Sequence, residues 1–169
     1  MIARILFWSA IVVIVGSLAS LFMLRNLTHD ADMWHVDPLT APTPDSPNSY
    51  RVVPVLDGFD PLTAERIDRE APIYDANPAL ISQAFDEYVL RQPRVQRIAG
   101  TPESGWMTYV QTSERLAFPD YISVIFFDLG EGRSTLAIFS RSRIGQSDLG
   151  VNKARIDSWL EPLASFEAE

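Results

Sequence analysis

The chain has no cysteine among its 169 residues. That absence excludes disulfides, thiolate nucleophiles, cysteine zinc sites and iron–sulfur clusters. It leaves the compartment open, because a cysteine-free chain suits either redox environment. Histidine is nearly absent too: only His29 and His35 occur, both near the N-terminus. Beyond residue 61 there is therefore no Ser-His-Asp or Cys-His arrangement to form. No P-loop and no GxGxxG pattern is present. Lysine is scarce: Lys153 is the one lysine among 14 bases, a bias that genome composition can produce and to which no function is attached. Acids are missing from residues 1–27, which carry Arg4 and Arg25, so all 22 acids lie beyond them. With a net charge of −8, the remainder repels nucleic acid and anionic lipid at long range. Nucleic-acid binding is not expected.

What is present begins with an apolar run. Ile5 to Leu24 gives 20 residues without a charge, bracketed by Arg4 and Arg25. That is the length needed to cross a hydrocarbon core of roughly 30 Å. Ser9, Ala10, Gly16, Ser17, Ala19 and Ser20 are small enough to admit a second helix, or are simply tolerated in lipid. A cleaved signal peptide is the rival reading. Its apolar core is shorter and ends in a small-x-small site, whereas this run ends in Leu21-Phe22-Met23-Leu24-Arg25. The expectation is an uncleaved single-pass anchor over residues 1–27. A thin bias of bases places the N-terminus in the cytoplasm and the rest outside it, on the periplasmic side of a bacterial inner membrane.

Residues 28–61 carry Pro38, Pro42, Pro44, Pro47, Pro54 and Pro61. Proline lacks a backbone donor and fixes φ, so no continuous helix forms here. The stretch reads as an extended, semi-rigid tether. Trp34 falls near the membrane exit, where indole favours the headgroup layer. His29, Asp30, Asp32 and His35 have the residue types of a metal site, but a tether supplies no second shell to hold them. No metal and no cofactor are expected.

Residues 62–169 read as one soluble α+β domain. Asn77-Pro78 is an N-cap followed by proline at the first helical position. Leu80, Ile81, Ala84, Phe85, Tyr88 and Val89 then form one apolar stripe, ending near Gln92 before Pro93. Strands are predicted over Val95–Ala99, Trp106–Ser113, Tyr121–Leu129 and Ser134–Arg143. Gly130 to Arg133 supplies a hairpin turn between the last two. A final helix runs from about Val151 to Ser165. This order predicts a small antiparallel sheet of three to four strands flanked by two helices on one face. Tyr121–Leu129 is apolar on both sides: Ile122, Val124 and Phe126 point one way, Tyr121, Ile125 and Phe127 the other. A half-solvated strand alternates more cleanly. Either the chain's own N-terminal part covers the second face, or a partner or apolar ligand does.

The densest group of special residues is Ser140 to Arg155. Arg141 and Arg143 share one side of a strand end, Gly145 and Gly150 turn the chain, and Arg155 approaches from the last helix. With Ser147, Asp148 and Asn152 at the helix start, this corner is a candidate anion site, because helix N-termini and guanidinium groups favour negative charge. The alternative is internal: Asp148 pairs with the arginines and fixes the corner, and Asp148 or Asn152 caps the helix.

At these residues the chain resembles the DUF1499 family, a domain of unknown function. Ser140-Arg141-Ser142-Arg143-Ile144-Gly145, Ser147-Asp148-Leu149-Gly150-Val151-Asn152 and Arg155 are similar to its signature. Trp106–Ser113, Phe118–Asp128 with Phe118-Pro119-Asp120, and the opening element Pro44 to Arg51 extend the likeness over about residues 44–165. Ser49 stands where the family usually has cysteine, so any role of that cysteine is missing here. The resemblance implies one domain, often at a membrane or envelope. It implies no activity.

Three functions survive. The first is a membrane-tethered, non-enzymatic domain that binds a protein partner or serves as an accessory to an envelope or membrane complex. The second is binding of a small anion or lipid headgroup at Arg141, Arg143 and Arg155. The third is an unrecognised enzyme, with the least support, using Asp120, Asp128 or Asp148, or Ser142 or Ser147 with Lys153. Such Asp and Ser residues are more often caps and turn formers.

Overall fold

The computed structural model describes residues 1–55, 66–145 and 147–168. Pro61 and the expected boundary between tether and domain at residues 61 and 62 lie outside the described residues.

Helix α1 spans Ile2–Arg25, 24 residues. At about 1.5 Å per residue it is long enough for a hydrocarbon core. It is the one helix among the described residues long and apolar enough to cross a membrane, a test that a signal sequence also passes. A single short turn, α2 (Ala31–Trp34), follows at once, capped by the Asp30 carboxylate accepting from the Asp32 N–H.

The rest is a sheet with two helices on one face. Its strands are β1 (Ser49–Val53), β2 (Arg69–Glu70), β3 (Val95–Thr101), β4 (Trp106–Thr112), β5 (Pro119–Gly130) and β6 (Arg133–Ser142). The order across the sheet is β2-β1-β6-β5-β4-β3. The four expected strands are all present and antiparallel. The sheet is nevertheless larger than expected, with six strands, and mixed, because β2 runs parallel to β1. Two reasons account for the correction. Strand β1 sits between Pro47 and Pro54, so its Ser-Tyr-Arg-Val-Val run looked like tether. It pairs antiparallel with β6, Ser49 opposite Arg141 and Val52 opposite Ile138. Strand β2 has only two residues, too few for any period to register.

Helix α3 (Pro78–Val89) starts where the Asn77 side-chain oxygen Oδ1 accepts from the Leu80 N–H, with proline in the first turn. Helix α4 (Val151–Leu160) is shorter than expected, and the chain tightens into a 3₁₀ segment, Glu161–Phe166, at Pro162. Ile81, Phe85 and Val89 of α3 meet Ile156, Trp159 and Leu160 of α4 over Val52, Met107, Tyr109, Ile122, Val124, Leu136 and Ile138. Phe85 makes edge-on contacts with Tyr109, Phe126 and Trp159, a geometry aromatic rings prefer. Ile122, Val124 and Phe126 thus face this core, as their alternation requires.

Candidate functional site: the strap face and the signature corner

The second face of β5 is covered by the chain's own N-terminal part. Residues 29–43 cross it as a strap. The Trp34 ring stacks on Tyr121 at 3.7 Å between centroids, and His35 stacks on Trp106 at 4.1 Å. The His29 Nδ1 lies 2.9 Å from the Tyr121 hydroxyl, and the His35 Nδ1 lies 2.8 Å from Thr108 Oγ1. The Trp34 carbonyl accepts from Arg141 Nη2 at 2.8 Å and from Ser123 Oγ at 3.2 Å. Further along, the fully buried Arg51 donates to the carbonyls of Pro38 and Ala41 and lies 3.9 Å over the Phe139 ring. Prolines make this possible. They keep the strap from forming a continuous helix, so it runs through short turns that leave carbonyls such as those of Pro38 and Ala41 open to side chains, and β1, β5 and β6 supply the donors.

The stretch expected as an extended tether is instead folded onto the sheet: it forms the turn α2, a second turn closed by the Ala41 N–H on the Asp37 carbonyl, and strand β1, and Trp34, expected in the headgroup layer, lies on Tyr121. The histidines are held by rings and hydroxyls, not arranged around a cation. Burial and the Arg143 charge lower the His29 pKa; burial lowers that of His35.

The six residues of the expected anion corner separate into two groups. Arg141 and Arg143 lie on the strap face. Arg141 is buried, 6% exposed, between Trp34 and Phe139. Burial and the neighbouring Arg51 push its pKa down to about 10, which leaves it charged at neutral pH. Arg143 is exposed, with Nη1 at 3.5 Å from the Tyr121 hydroxyl and its guanidinium 5.8 Å over Trp34. Arg155 lies on the opposite, helix-covered face with Asn152. It donates to Asp120, to Ser140 Oγ, to Asn152 Oδ1 and, through Nε, to Gln111.

Asn152 joins the ends of the family-like region. Its amide donates to the Asn48 carbonyl at 2.8 Å and to Ser142 Oγ, while its oxygen accepts from Ser140 and Arg155. The Asn48 amide in turn donates to the Gly145 carbonyl at 2.6 Å. Asp148 does not hold an arginine in this network. Its carboxylate accepts the Asn152 N–H at 2.8 Å and the Gly150 N–H at 3.0 Å, capping α4. Burial raises its pKa, and these backbone donors outweigh that and leave it lowered. Ser147 Oγ accepts the Leu149 N–H. The helix start thus already has its own anion.

With that geometry in view, the comparison with known families is decisive. Residues 40–163 match the family described as "Protein of unknown function (DUF1499)". The chain belongs to this family. No curated protein matches it. Within the matched region Ser140, Ser142, Asp148, Asn152 and Arg155 build a strand-to-helix lock. Ser49 is buried at 5% exposure in β1. Sequence reasoning missed Asn48, Arg51 and Asp120 as members of these networks. A signal existed in Arg51: a charge between Tyr50 and Val52 inside an apolar run needs a buried partner. It also missed Leu149, which is 94% exposed with φ at +52°.

Proposed function

We propose that this protein is a membrane-anchored, non-catalytic recognition domain that serves an envelope complex through a protein partner. The N-terminus is cytoplasmic in this reading, and the domain stands outside the cytoplasm. One observation carries it: the strap ties the exit of α1 directly to the sheet, His29 to Tyr121 and Trp34 to Tyr121 and Arg141. A chain built to reach freely has no use for such contacts, whereas one that presents a surface at a set height over a membrane needs them. The groups that an enzyme would draw on have structural work. Asp120 holds Arg155, Asp128 accepts the Gly130 N–H in the hairpin turn, Asp148 caps α4, and Lys153 pairs with Asp157. The apolar second face of β5 is no longer the interface of choice, since the strap occupies it.

The test is purification of the tagged full-length protein from its own membranes in mild detergent, with mass spectrometry of what accompanies it. A stoichiometric companion lost on strap variants supports the proposal. A solitary monomer that crosslinks to nothing overturns it. A second reading, binding of a small anion or lipid headgroup at the arginine corner, keeps one specific support: Arg143 is exposed and oriented by Tyr121 and Trp34. Loss of phosphate or headgroup binding in Arg143→Ala, with the fold intact, is its test.

A further inference from the structure

One end of the sheet carries apolar side chains that its fold does not explain. Leu149 is 94% exposed, and its φ of +52° is in the left-handed region that disfavours leucine. Val151, at 51%, follows it, and Leu116, at 49%, lies in the β4–β5 hairpin loop. These belong to one end. Arg143 N–H bonds the Pro119 carbonyl, and Val151 lines the same cavity of about 260 Å³ as Ser113 and Glu114. Exposed Arg115 and Arg143 lie there beside Glu114 and Asp148, and the opposite end, at the β5–β6 hairpin, carries Asp128 and the pair of Glu131 with Arg133. The same end receives the chain from α1. Four residue steps separate Arg25 from His29, a reach of at most about 14 Å, and His29 is held on Tyr121 beside Arg143.

From this we infer that the end bearing Leu116, Arg143, Leu149 and Val151 rests on the bilayer surface, with the leucines in the interfacial layer and the arginines on lipid phosphates. The inference rests on α1 being a membrane anchor. Covalent reach brings this end to the headgroups, which extend several ångströms beyond the hydrocarbon edge. Leucine and arginine together suit that layer: one buries apolar surface, the other keeps its charge in the headgroups. Leu149 is then held strained and solvent-exposed because lipid, not protein, receives it.

The chain has no native cysteine, so single probes are easily placed. The full-length protein is reconstituted in phosphatidylcholine vesicles with an environment-sensitive fluorophore on Leu149→Cys, Leu116→Cys or Glu131→Cys. Lipid carrying a nitroxide on its headgroup should quench the first two several-fold more than the third. The Glu131 control stands about 30 Å away, the length of β6. Leu149→Gly combined with Arg143→Glu should reduce quenching of the probe at 116, and glycine suits the backbone there, so the fold is kept. Equal quenching at all three positions overturns the inference. A probe at Val13→Cys with nitroxide deep in the acyl chains tests the anchor separately. If that probe is unquenched and the protein washes off with carbonate, the anchor reading has failed; if it is quenched while Leu149 matches Glu131, only the surface contact has failed.

Discussion

Trp34 lies flat on Tyr121, the two planes 5° from parallel. One residue comes from the Pro-rich strap and the other from the start of β5, a central strand of the sheet. Offset or stacked aromatic pairs contribute about 0.5–1.5 kcal/mol beyond their area, and the Trp34 carbonyl is also the acceptor for Arg141 and Ser123. Trp34→Ala should therefore release the strap while leaving the core on the other face intact. Limited proteolysis should cut between residues 35 and 47 much faster in this variant. Trp34→Phe, which keeps a ring on Tyr121, should lie close to the native rate.

The two arginine groups predict opposite outcomes. Arg155 and Asp120 are 6% and 14% exposed. Removing one partner of such a pair strands a buried charge, at a cost of about 3–5 kcal/mol. Arg155→Ala should lower the denaturation midpoint sharply. Arg143→Ala, at an exposed position, should stay within about 0.5 kcal/mol of the native protein. Urea titration of both variants checks this. Equal losses would sink the separation of the corner into a lock and a free rim.

Much of this fold was legible in the residues. Asn77-Pro78 announced α3 because capping is local, and the β5–β6 hairpin was visible in Gly130 to Gly132 because turn chemistry is local too. The two-sided apolar character of Tyr121–Leu129 correctly raised the question of what covers its second face. Coverage by the chain's own N-terminal part was among the alternatives and is what the structure has; which residues do it was not readable, because beside the Trp34 and His35 rings the strap is held by backbone carbonyls, which leave no mark in a sequence. Strand β1 was hidden for a related reason. Its pairing with β6 is non-local, and the prolines on either side hid a short run. The corner misled because alternation along β6 places Arg141 and Arg143 on one face, whereas Arg155 comes to the other through α4.

The strap should loosen in mild acid. His29 and His35 have pKa values lowered from 6.5 by burial, with the Arg143 charge adding to this at His29. Above 6.5 both are neutral whether the strap is docked or free, and its stability is complete. As pH falls below 6.5, the undocked histidines bind protons more readily than the docked ones, so docking weakens until the lower, folded values are passed. Proteolysis of the strap should accelerate from about pH 7 to about pH 5. In a His29→Asn, His35→Asn variant that dependence should largely vanish.

The Tyr74 hydroxyl is fully buried and has no hydrogen-bond partner among the described residues, although its backbone bonds both ways to Ser134. Burial pushes its pKa well up. A buried hydroxyl without a partner contributes its desolvation cost and no bond, of the order of 1–3 kcal/mol. Tyr74→Phe removes the oxygen and keeps the ring, so thermal stability should hold or rise. A clear fall in Tm would mean that the oxygen has a partner in solution.

Among the described glycines, Gly100 is the one where an added side-chain carbon meets backbone closer than 3.0 Å. The register of β3 against β4 shifts between Arg97 and Ala99, and Gly100 follows with φ at +73°. A side-chain carbon there would fall 1.8 Å from the Trp106 carbonyl oxygen, which is backbone and cannot turn aside. Trp106 also carries the His35 stack, so any displacement passes to the strap. Gly100→Ala combines a forbidden contact with a disfavoured φ, and the loss should exceed the roughly 1 kcal/mol of a simple glycine replacement. Gly132→Ala provides the comparison: its φ is +75°, and no atom lies within 4 Å of the added carbon. If the two variants unfold at the same denaturant concentration, the close approach at Trp106 is not what holds β3 in place.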